Sequence, residues 1–211
     1  MAERYWIETL GCPKNQVDSD KLVGTLTVDG MVAAGSPEEA DLVVVNTCAF
    51  IEAARQESID TVLALSDARR EGARLVVTGC MAERYGDELA RSLPEVDLVA
   101  PFGTALHGDH AGHTTTTPAT PTPVALGTKP APVGPVPDFD LLNLPRPPAS
   151  APWAYVKVAE GCDRNCGFCA IPSFRGKQRS RSVGSILDEV DALGAAGSTL
   201  SEVVLVAQDL S

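Results

Sequence analysis

The stretch "DLVVVNTC" (41–48) decides the fold, because it is apolar almost throughout and ends in a cysteine. Such a run is typical of a strand that is buried on both faces of a parallel sheet. "ARLVVTGC" (73–80) repeats the pattern, and "RYWIET" (4–9) predicts a third strand. The helical stretch "EAARQESIDTVLALSDARREG" (52–72) lies between two of these strands. Strands that alternate with helices predict an α/β fold with a parallel sheet.

The pattern of strands, helices and prolines divides the chain into three regions. A helix starting near Asp18, another over 82–93 and a short strand over 96–100 complete a doubly wound parallel sheet domain over 1–104. Residues 105–152 hold 11 of the 16 prolines and the run "TTTTPATPTP", which predicts a Pro/Thr-rich linker. Its apolar piece "FDLLNL" (139–144) is a candidate for docking on one of the domains.

Residues 153–211 begin a second α/β unit. "WAYVKVA" (153–159) predicts a strand, and a cysteine-rich loop follows it. A helix is predicted over 182–197, with Ser182 or Ser185 as its N-cap and Gly197 as its stop, and a strand over 202–208 comes next. A closed (β/α)₈ barrel needs about 200 residues or more, so this unit predicts only the beginning of an incomplete barrel.

Charge and composition narrow the functional classes. The net charge is −11, and residues 1–104 carry 18 acidic and 9 basic residues. Such a surface favours basic partners over phosphate backbones. The first residues lack the apolar core of a signal peptide, and no apolar run is long enough to span a membrane. We therefore expect a soluble cytoplasmic protein whose six cysteines serve metal or redox chemistry rather than disulfides.

Cys12, Cys48 and Cys80, the first cysteine set, each follow a predicted strand. The carboxyl ends of parallel strands line one edge of a sheet, where ligands bind, so the three thiols are expected at one crevice. Two alternatives are three small buried apolar residues and a zinc site, although structural zinc usually takes four ligands in two close pairs. His107, His110 and His113 lie in the glycine-rich part of the linker and are interpreted as solvated.

The stretch "EGCDRNCGFCAIPSFRG" (160–176) contains the second cysteine set, which consists of Cys162, Cys166 and Cys169. Thiolates are the usual ligands of four-iron clusters. Three thiolates would leave one iron open for a substrate or cofactor, much as catalytic zinc sites keep one open position. A zinc site remains the alternative.

The C-x3-C-x2-C spacing, with Phe168 before the last cysteine, resembles the signature of the radical S-adenosylmethionine superfamily. The resemblance implies a 4Fe-4S cluster on the second cysteine set, with S-adenosylmethionine bound at its open iron and cleaved to a radical. It also implies that Phe168 lies near the adenine of S-adenosylmethionine.

Three further motifs resemble the N-terminal domain of the methylthiotransferases: "LGCPKNQVDSD" (10–20), "NTCAFIEAARQES" (46–58) and "VTGCMAERYGDEL" (77–89). This resemblance implies that the first cysteine set holds a second, auxiliary 4Fe-4S cluster that carries the sulfur to be inserted. No side chain stands out as a catalytic acid or base, and a radical step needs none.

Within that family, "GCPKN" (11–15), "NTCAFIEAA" (46–54), "IPSFRG" (171–176) and "AQD" (207–209) resemble the RimO branch. The resemblance implies methylthiolation of an aspartate β-carbon in the twelfth ribosomal protein of the small subunit, with an electron donor protein as partner. The alternatives are the branch that modifies an adenosine of tRNA and an inactive iron–sulfur binding fragment. Family members continue through a barrel and a TRAM domain, so we expect a chain that is truncated at its C-terminus.

Four cations follow the second cysteine set within seven residues, namely Arg175, Lys177, Arg179 and Arg181. They could contact RNA phosphates. They could equally balance the charge of the clusters and of the S-adenosylmethionine carboxylate, or form a solvated loop. We favour the last two interpretations.

Overall fold

The computed structural model describes residues 2–106, 141–195 and 197–209. We call 2–106 the first unit and the remaining described residues the second unit. Most of the predicted linker, including His107, His110 and His113, lies outside the described residues. In the described part of the chain, no helix is long and apolar enough to cross a membrane.

The first unit is built on a five-stranded sheet in which every neighbouring pair of strands is parallel. The strands lie in the order β2-β1-β3-β4-β5. Their bounds are β1 (Arg4–Thr9), β2 (Val32–Ala33), β3 (Leu42–Thr47), β4 (Arg74–Gly79) and β5 (Leu98–Ala100). All six residues of β3 are buried, as its apolar run predicts, because neighbouring strands and both faces of the sheet cover it. The predicted α/β class with a parallel central sheet is confirmed.

Three helices cover the sheet, α1 (Pro13–Val28), α2 (Glu52–Ala68) and α3 (Cys80–Ser92). Successive residues of β3 point to opposite faces. Val43 and Val45 therefore belong to a core cluster with residues of α2 and α3, whereas Leu42 and Val44 belong to a cluster with residues of α1. The apolar residues of β3 thus alternate between the two clusters on the two faces of the sheet.

The helix boundaries differ from the sequence-based prediction at three places. Helix α1 begins at Pro13 rather than near Asp18, because Cys12 is its N-cap and proline suits the first helical position. Helix α2 ends at Ala68 rather than at Gly72, since Arg69 already has an extended conformation. Helix α3 begins at Cys80, directly after β4, instead of two residues later.

The second unit contains a parallel pair of strands, β6 (Trp153–Lys157) and β9 (Glu202–Val206). Between them lie β7 (Ala159–Glu160), α4 (Ile171–Phe174), β8 (Arg179–Ser180) and α5 (Val183–Leu193), and β7 pairs antiparallel with β8. Ser182 caps α5 by accepting a hydrogen bond from the backbone N–H of Ser185, as predicted. The helix ends at Leu193 with Gly194 as its C-cap, so the predicted stop at Gly197 is wrong. The short elements β2, β7, α4 and β8 were not predicted.

Helix α1 connects the two units. It packs against β6 and against residues 141–143, where Leu142 is buried and its carbonyl oxygen accepts a hydrogen bond of 2.6 Å from Lys21 Nζ. The described part of the candidate docking piece 139–144 therefore does pack on the first unit. Lys21 Nζ also lies 3.3 Å from a carboxylate oxygen of Glu189 on α5. A buried ion pair thus joins α1 to the second unit.

The close packing of β4 against β3 can be tested at Gly79. Its φ is +90°, and a Cβ there would lie 2.3 Å from Asn46 Oδ1 and 2.6 Å from the Thr47 carbonyl oxygen. We expect Gly79→Ala to lower the free energy of unfolding by at least about 2 kcal/mol, because the backbone strain and the clash act together. Gly30→Ala is the matched control, since Gly30 has a φ of +86° but no atom within 4 Å of the added Cβ. Equal losses in urea denaturation would contradict this account.

Lys21 gives a second test, through pH. Burial lowers the pKa of Lys21 to about 8, although Glu189 opposes this shift. Between pH 8 and the unfolded value of 10.5, the unfolded chain therefore binds a proton that the folded chain has lost, so folding gains stability as the pH rises. Relative to Lys21→Met, the wild type should gain up to about 3 kcal/mol across this range.

The measurement is urea denaturation of the wild type and of Lys21→Met at several pH values between 7 and 10.5. Lys177→Met, which removes an exposed lysine, is the control for the loss of one positive charge. A constant difference in stability between the wild type and Lys21→Met would show that the Lys21 ammonium is not desolvated.

Candidate functional site

The first cysteine set lies at the carboxyl edge of the sheet. Cys12 is the N-cap of α1 after β1, Cys48 directly follows β3, and Cys80 is the first residue of α3 after β4. Because β1, β3 and β4 are adjacent and parallel, their carboxyl ends meet at one edge. The strand-end position predicted for the three cysteines is therefore observed.

The backbone at Gly11 lies directly against Cys48, so the loop that carries Cys12 is close to the Cys48 thiol. Gly11 has a φ of +92°, and a Cβ there would lie 2.7 Å from Cys48 Cβ and 2.9 Å from Cys48 Sγ. Only glycine fits this approach without displacing Cys48. The space beside the Cys48 thiol is thus kept by the absence of a side chain at the residue before Cys12.

The side chain of Asn15 contacts the carboxyl ends of β1 and β3 and the cysteine that follows β4. Its side-chain N–H groups donate to the carbonyl oxygens of Leu10 and Thr47, at 2.9 and 3.0 Å. Its Oδ1 accepts from Arg175 Nη2 at 2.8 Å and lies 3.7 Å from Cys80 Sγ. Sequence reasoning gave Asn15 no role, although it stands in the quoted motif "GCPKN".

The side chain of Ser58 is hydrogen-bonded to the backbone of Cys48. Its Oγ accepts a hydrogen bond of 3.1 Å from the Cys48 backbone N–H. Its one proton has two acceptors within reach, the Ala54 carbonyl oxygen at 2.8 Å and the Cys48 carbonyl oxygen at 3.2 Å. Ser58 is fully buried on α2, so this helix fixes the backbone of the second strand-end cysteine. The sequence placed Ser58 at the end of a cysteine motif, but only the fold shows the contact.

The thiols of the first set differ in exposure. Cys48 and Cys80 are buried, whereas Cys12 is partly exposed. Burial raises the pKa of the Cys80 thiol, and the positive charge of Arg175 opposes that rise. The Arg175 guanidinium donates to Cys80 Sγ over 3.0 Å. A thiolate at Cys80 would therefore have a cationic hydrogen-bond donor beside it.

The second cysteine set lies on the loop between β7 and α4. Cys162 donates its backbone N–H to the Gly176 carbonyl oxygen at 3.1 Å, and Cys169 donates its backbone N–H to the Cys166 carbonyl oxygen at 3.1 Å. Cys166 is exposed, and Phe168 is 93% exposed. Backbone hydrogen bonds therefore help to shape the loop, and Cys166 and Phe168 are among its accessible side chains, whereas Cys162 and Cys169 are partly buried.

Two polar groups from elsewhere flank this loop. Asp209 accepts a hydrogen bond of 2.7 Å from Arg164 Nε, and its carboxylate lies 4.0 Å from Cys162 Sγ. Gln208 donates to Glu160 at 2.7 Å, just before the loop begins. The segment "AQD" (207–209), which resembles the RimO branch, therefore contacts Glu160 just before the cysteine loop and Arg164 within it.

The four cations after the second cysteine set do not share one environment. The side chains of Arg175 and Arg181 are almost fully buried and pair with Asp18 and Glu189, respectively, whereas Lys177 is exposed. Because the side chains of these two arginines are buried, they do not present a surface to which phosphate could bind. Arg175 instead contacts a thiol of the first cysteine set.

The described residues contain no group of three or more histidine, cysteine, aspartate or glutamate side chains that is already arranged to hold a metal ion. All six cysteines are free. The structure thus brings each set to one edge or one loop but does not close the thiols around a common point. The assignment of the six cysteines as ligands, and of Phe168 as an adenine contact, stays a prediction.

Comparison with known proteins identifies the family to which the chain is similar. Residues 4–101 match a family described as Uncharacterized protein family UPF0004. A protein of Anaeromyxobacter sp. (strain K), named ribosomal protein uS12 methylthiotransferase RimO, is 44% identical over 100% of this chain and 43% of its own length. Proteins of the same name from Myxococcus xanthus and Desulfosudis oleivorans are 41% and 43% identical and match 98% and 96% of this chain.

The chain spans less than half of the length of each of these relatives, with matched shares of 43%, 41% and 44%. The matched region of the first of these relatives spans the positions of both cysteine sets, since it covers the whole chain. The chain therefore belongs to the RimO-type methylthiotransferase family.

Proposed function

We propose that this chain is the cluster-binding part of a methylthiotransferase with two 4Fe-4S clusters. Cys12, Cys48 and Cys80 would hold the auxiliary cluster, and the second cysteine set would hold the radical cluster. The donor chemistry supports both assignments, because each set offers three free thiols and iron–sulfur clusters prefer thiolate ligands. The space that Gly11 leaves beside Cys48 Sγ supports the first assignment.

When bound, these groups would supply what methylthio transfer needs, namely a carbon-centred radical made from S-adenosylmethionine and a sulfur held for insertion. The residues of this chain have separate tasks. Gly11, Asn15 and Ser58 hold the strand-end cysteines in place through the contacts described above. Phe168 offers an exposed aromatic face on which the adenine of S-adenosylmethionine can stack.

The proposed substrate is an aspartate of ribosomal protein uS12. The names of the relatives support this proposal, and so does the acidic first unit, since its surface attracts basic proteins. An electron donor protein would deliver the electrons, and we expect the reaction to take place in the cytoplasm. In the finer fold assignment, the first unit is a doubly wound domain and the second unit is the beginning of a (β/α) barrel.

Iron content tests the cluster assignment. After anaerobic reconstitution, the chain should bind about eight irons with matching acid-labile sulfide, because two four-iron clusters are expected. Changing Cys12, Cys48 and Cys80 together to Ala should leave about four irons, and so should the same change at the second cysteine set.

The two triple variants are matched controls for each other, because each removes three thiols and leaves the other set intact. Fewer than about two irons per chain in the wild type would contradict cluster binding. About four irons that survive the first triple change would remove the auxiliary cluster and the sulfur-insertion mechanism with it.

The substrate is tested by mass spectrometry of a strain that lacks the gene. We expect uS12 to lose its methylthio group, while the methylthio-adenosine nucleosides of tRNA remain at their normal level. Restoring the gene should restore the modification of uS12. Loss of the methylthio group from tRNA alone would favour the tRNA branch of the family instead.

A further inference from the structure

Arg175 connects the two cysteine sets, although it is far from the first set in sequence. It belongs to the second unit, directly after α4, and its side chain is 4% exposed. Its Nη2 donates to Cys80 Sγ at 3.0 Å and to Asn15 Oδ1 at 2.8 Å, and both acceptors belong to the first unit. A cation of one unit is therefore buried against a thiol of the other.

The orientation of the guanidinium is fixed on its other side. Nη1 donates to Asp18 Oδ2 at 2.8 Å and lies 3.4 Å from the Glu160 carboxylate. The ring of Phe102 lies against the guanidinium, with 4.3 Å from the ring centroid to Cζ. Because carboxylates occupy Nη1, the N–H groups of Nη2 are the ones that are directed at Asn15 and Cys80.

The backbone next to Arg175 contacts the other cysteine set. The carbonyl oxygen of Gly176 accepts the hydrogen bond of 3.1 Å from the Cys162 N–H. Glu160, which pairs with Arg175, also accepts from the N–H of Gly161 at 3.4 Å. Residues 175–176 therefore touch a thiol of the first set and the beginning of the second cysteine loop.

Arg175 differs from a purely structural arginine because its Nη2 group donates to a thiol and to an amide oxygen. Asp18 and Glu160 are also paired with Lys157, whose Nζ lies 2.6 Å from Glu160 and bonds Asp18 as well. The two carboxylates therefore face two cations without any help from sulfur. A thiolate at Cys80 would add one negative charge directly beside the Nη2 group of Arg175.

We infer that Arg175 is a positioning residue for the first cysteine set, which donates a charge-assisted hydrogen bond to the Cys80 sulfur and raises the reduction potential of a cluster held there. This inference rests on the proposed function, in which Cys80 is a cluster ligand. A cation and a hydrogen bond at a ligand sulfur stabilise the reduced cluster, because reduction adds negative charge. The same residue fixes the first set relative to the second cysteine loop.

The test is a spectroelectrochemical titration of the full chain with the second cysteine set changed to Ala, so that only the first cluster titrates. Arg175→Met should lower the reduction potential, and Arg175→Lys should lower it less because it keeps the charge. Arg91→Met, on the same helix as Cys80 but on an exposed part of it, is the matched control and should leave the potential unchanged. A purely structural role of Arg175 would not produce this order.

An unchanged potential in Arg175→Met, with about four irons still bound, would overturn the inference and leave the proposed function intact. Absence of iron in the parent chain would overturn the proposed function itself. If Arg175→Met fails to fold, pulsed electron paramagnetic resonance of the parent chain decides the matter.

In that measurement, the reduced cluster of protein labelled with ¹⁵N-arginine should show a weakly coupled nitrogen. The coupling should persist in Arg84→Lys, which changes an arginine that donates to the Ala49 carbonyl beside Cys48. No coupling in the folded, iron-loaded parent chain would overturn the inference.

Discussion

The buried charge cluster of Asp18, Lys157, Glu160 and Arg175 is the interaction on which the arrangement of the two units depends. Asp18 belongs to α1, whereas the other three residues belong to the second unit. Removing charges from water is costly, and pairing repays this cost only when every group is satisfied. Here each carboxylate meets both cations, and the pairs hold the pKa of Glu160 at about 2 against the effect of burial, which alone would raise it. Loss of one partner would leave an uncompensated charge, a change that typically costs about 3–5 kcal/mol.

Such a cluster makes a geometric demand that an apolar contact does not make. An apolar contact between α1 and β6 would tolerate a shift along the helix, because dispersion and the hydrophobic effect have no direction. The charges tolerate no shift of that kind, since each ammonium and guanidinium N–H needs an oxygen in line with it. A second group of buried ion pairs fixes α5 in the same way, because Glu189 on α5 accepts from Lys21, Arg146 and Arg181. Together the two groups determine which edge of the sheet the second cysteine loop approaches.

The sequence predicted those parts of the molecule that follow from local patterns. The strands β1, β3 and β4 and the cysteines that follow them were found because strand-forming runs and strand-end positions are visible in the chain itself. The beginning of α1 was missed because cysteine is not among the usual N-cap residues, although Pro13 is itself a helix-start signal. The two-residue strands β7 and β8 are too short to have a pattern. The contact between Arg175 and Cys80 joins positions 95 residues apart, so only the docking of the two units creates it.

The dependence of the site on docking has a chemical consequence. Within the first unit, burial opposes ionisation of Cys80, and Arg175 of the second unit is the cation that opposes this effect. The position of Arg175 depends in turn on Asp18, which belongs to the first unit, and on Glu160, which directly precedes the second cysteine loop. One guanidinium therefore contacts both Glu160, at the base of that loop, and the Cys80 sulfur. The same buried ion pairs that orient the units therefore also determine the charge beside the Cys80 sulfur.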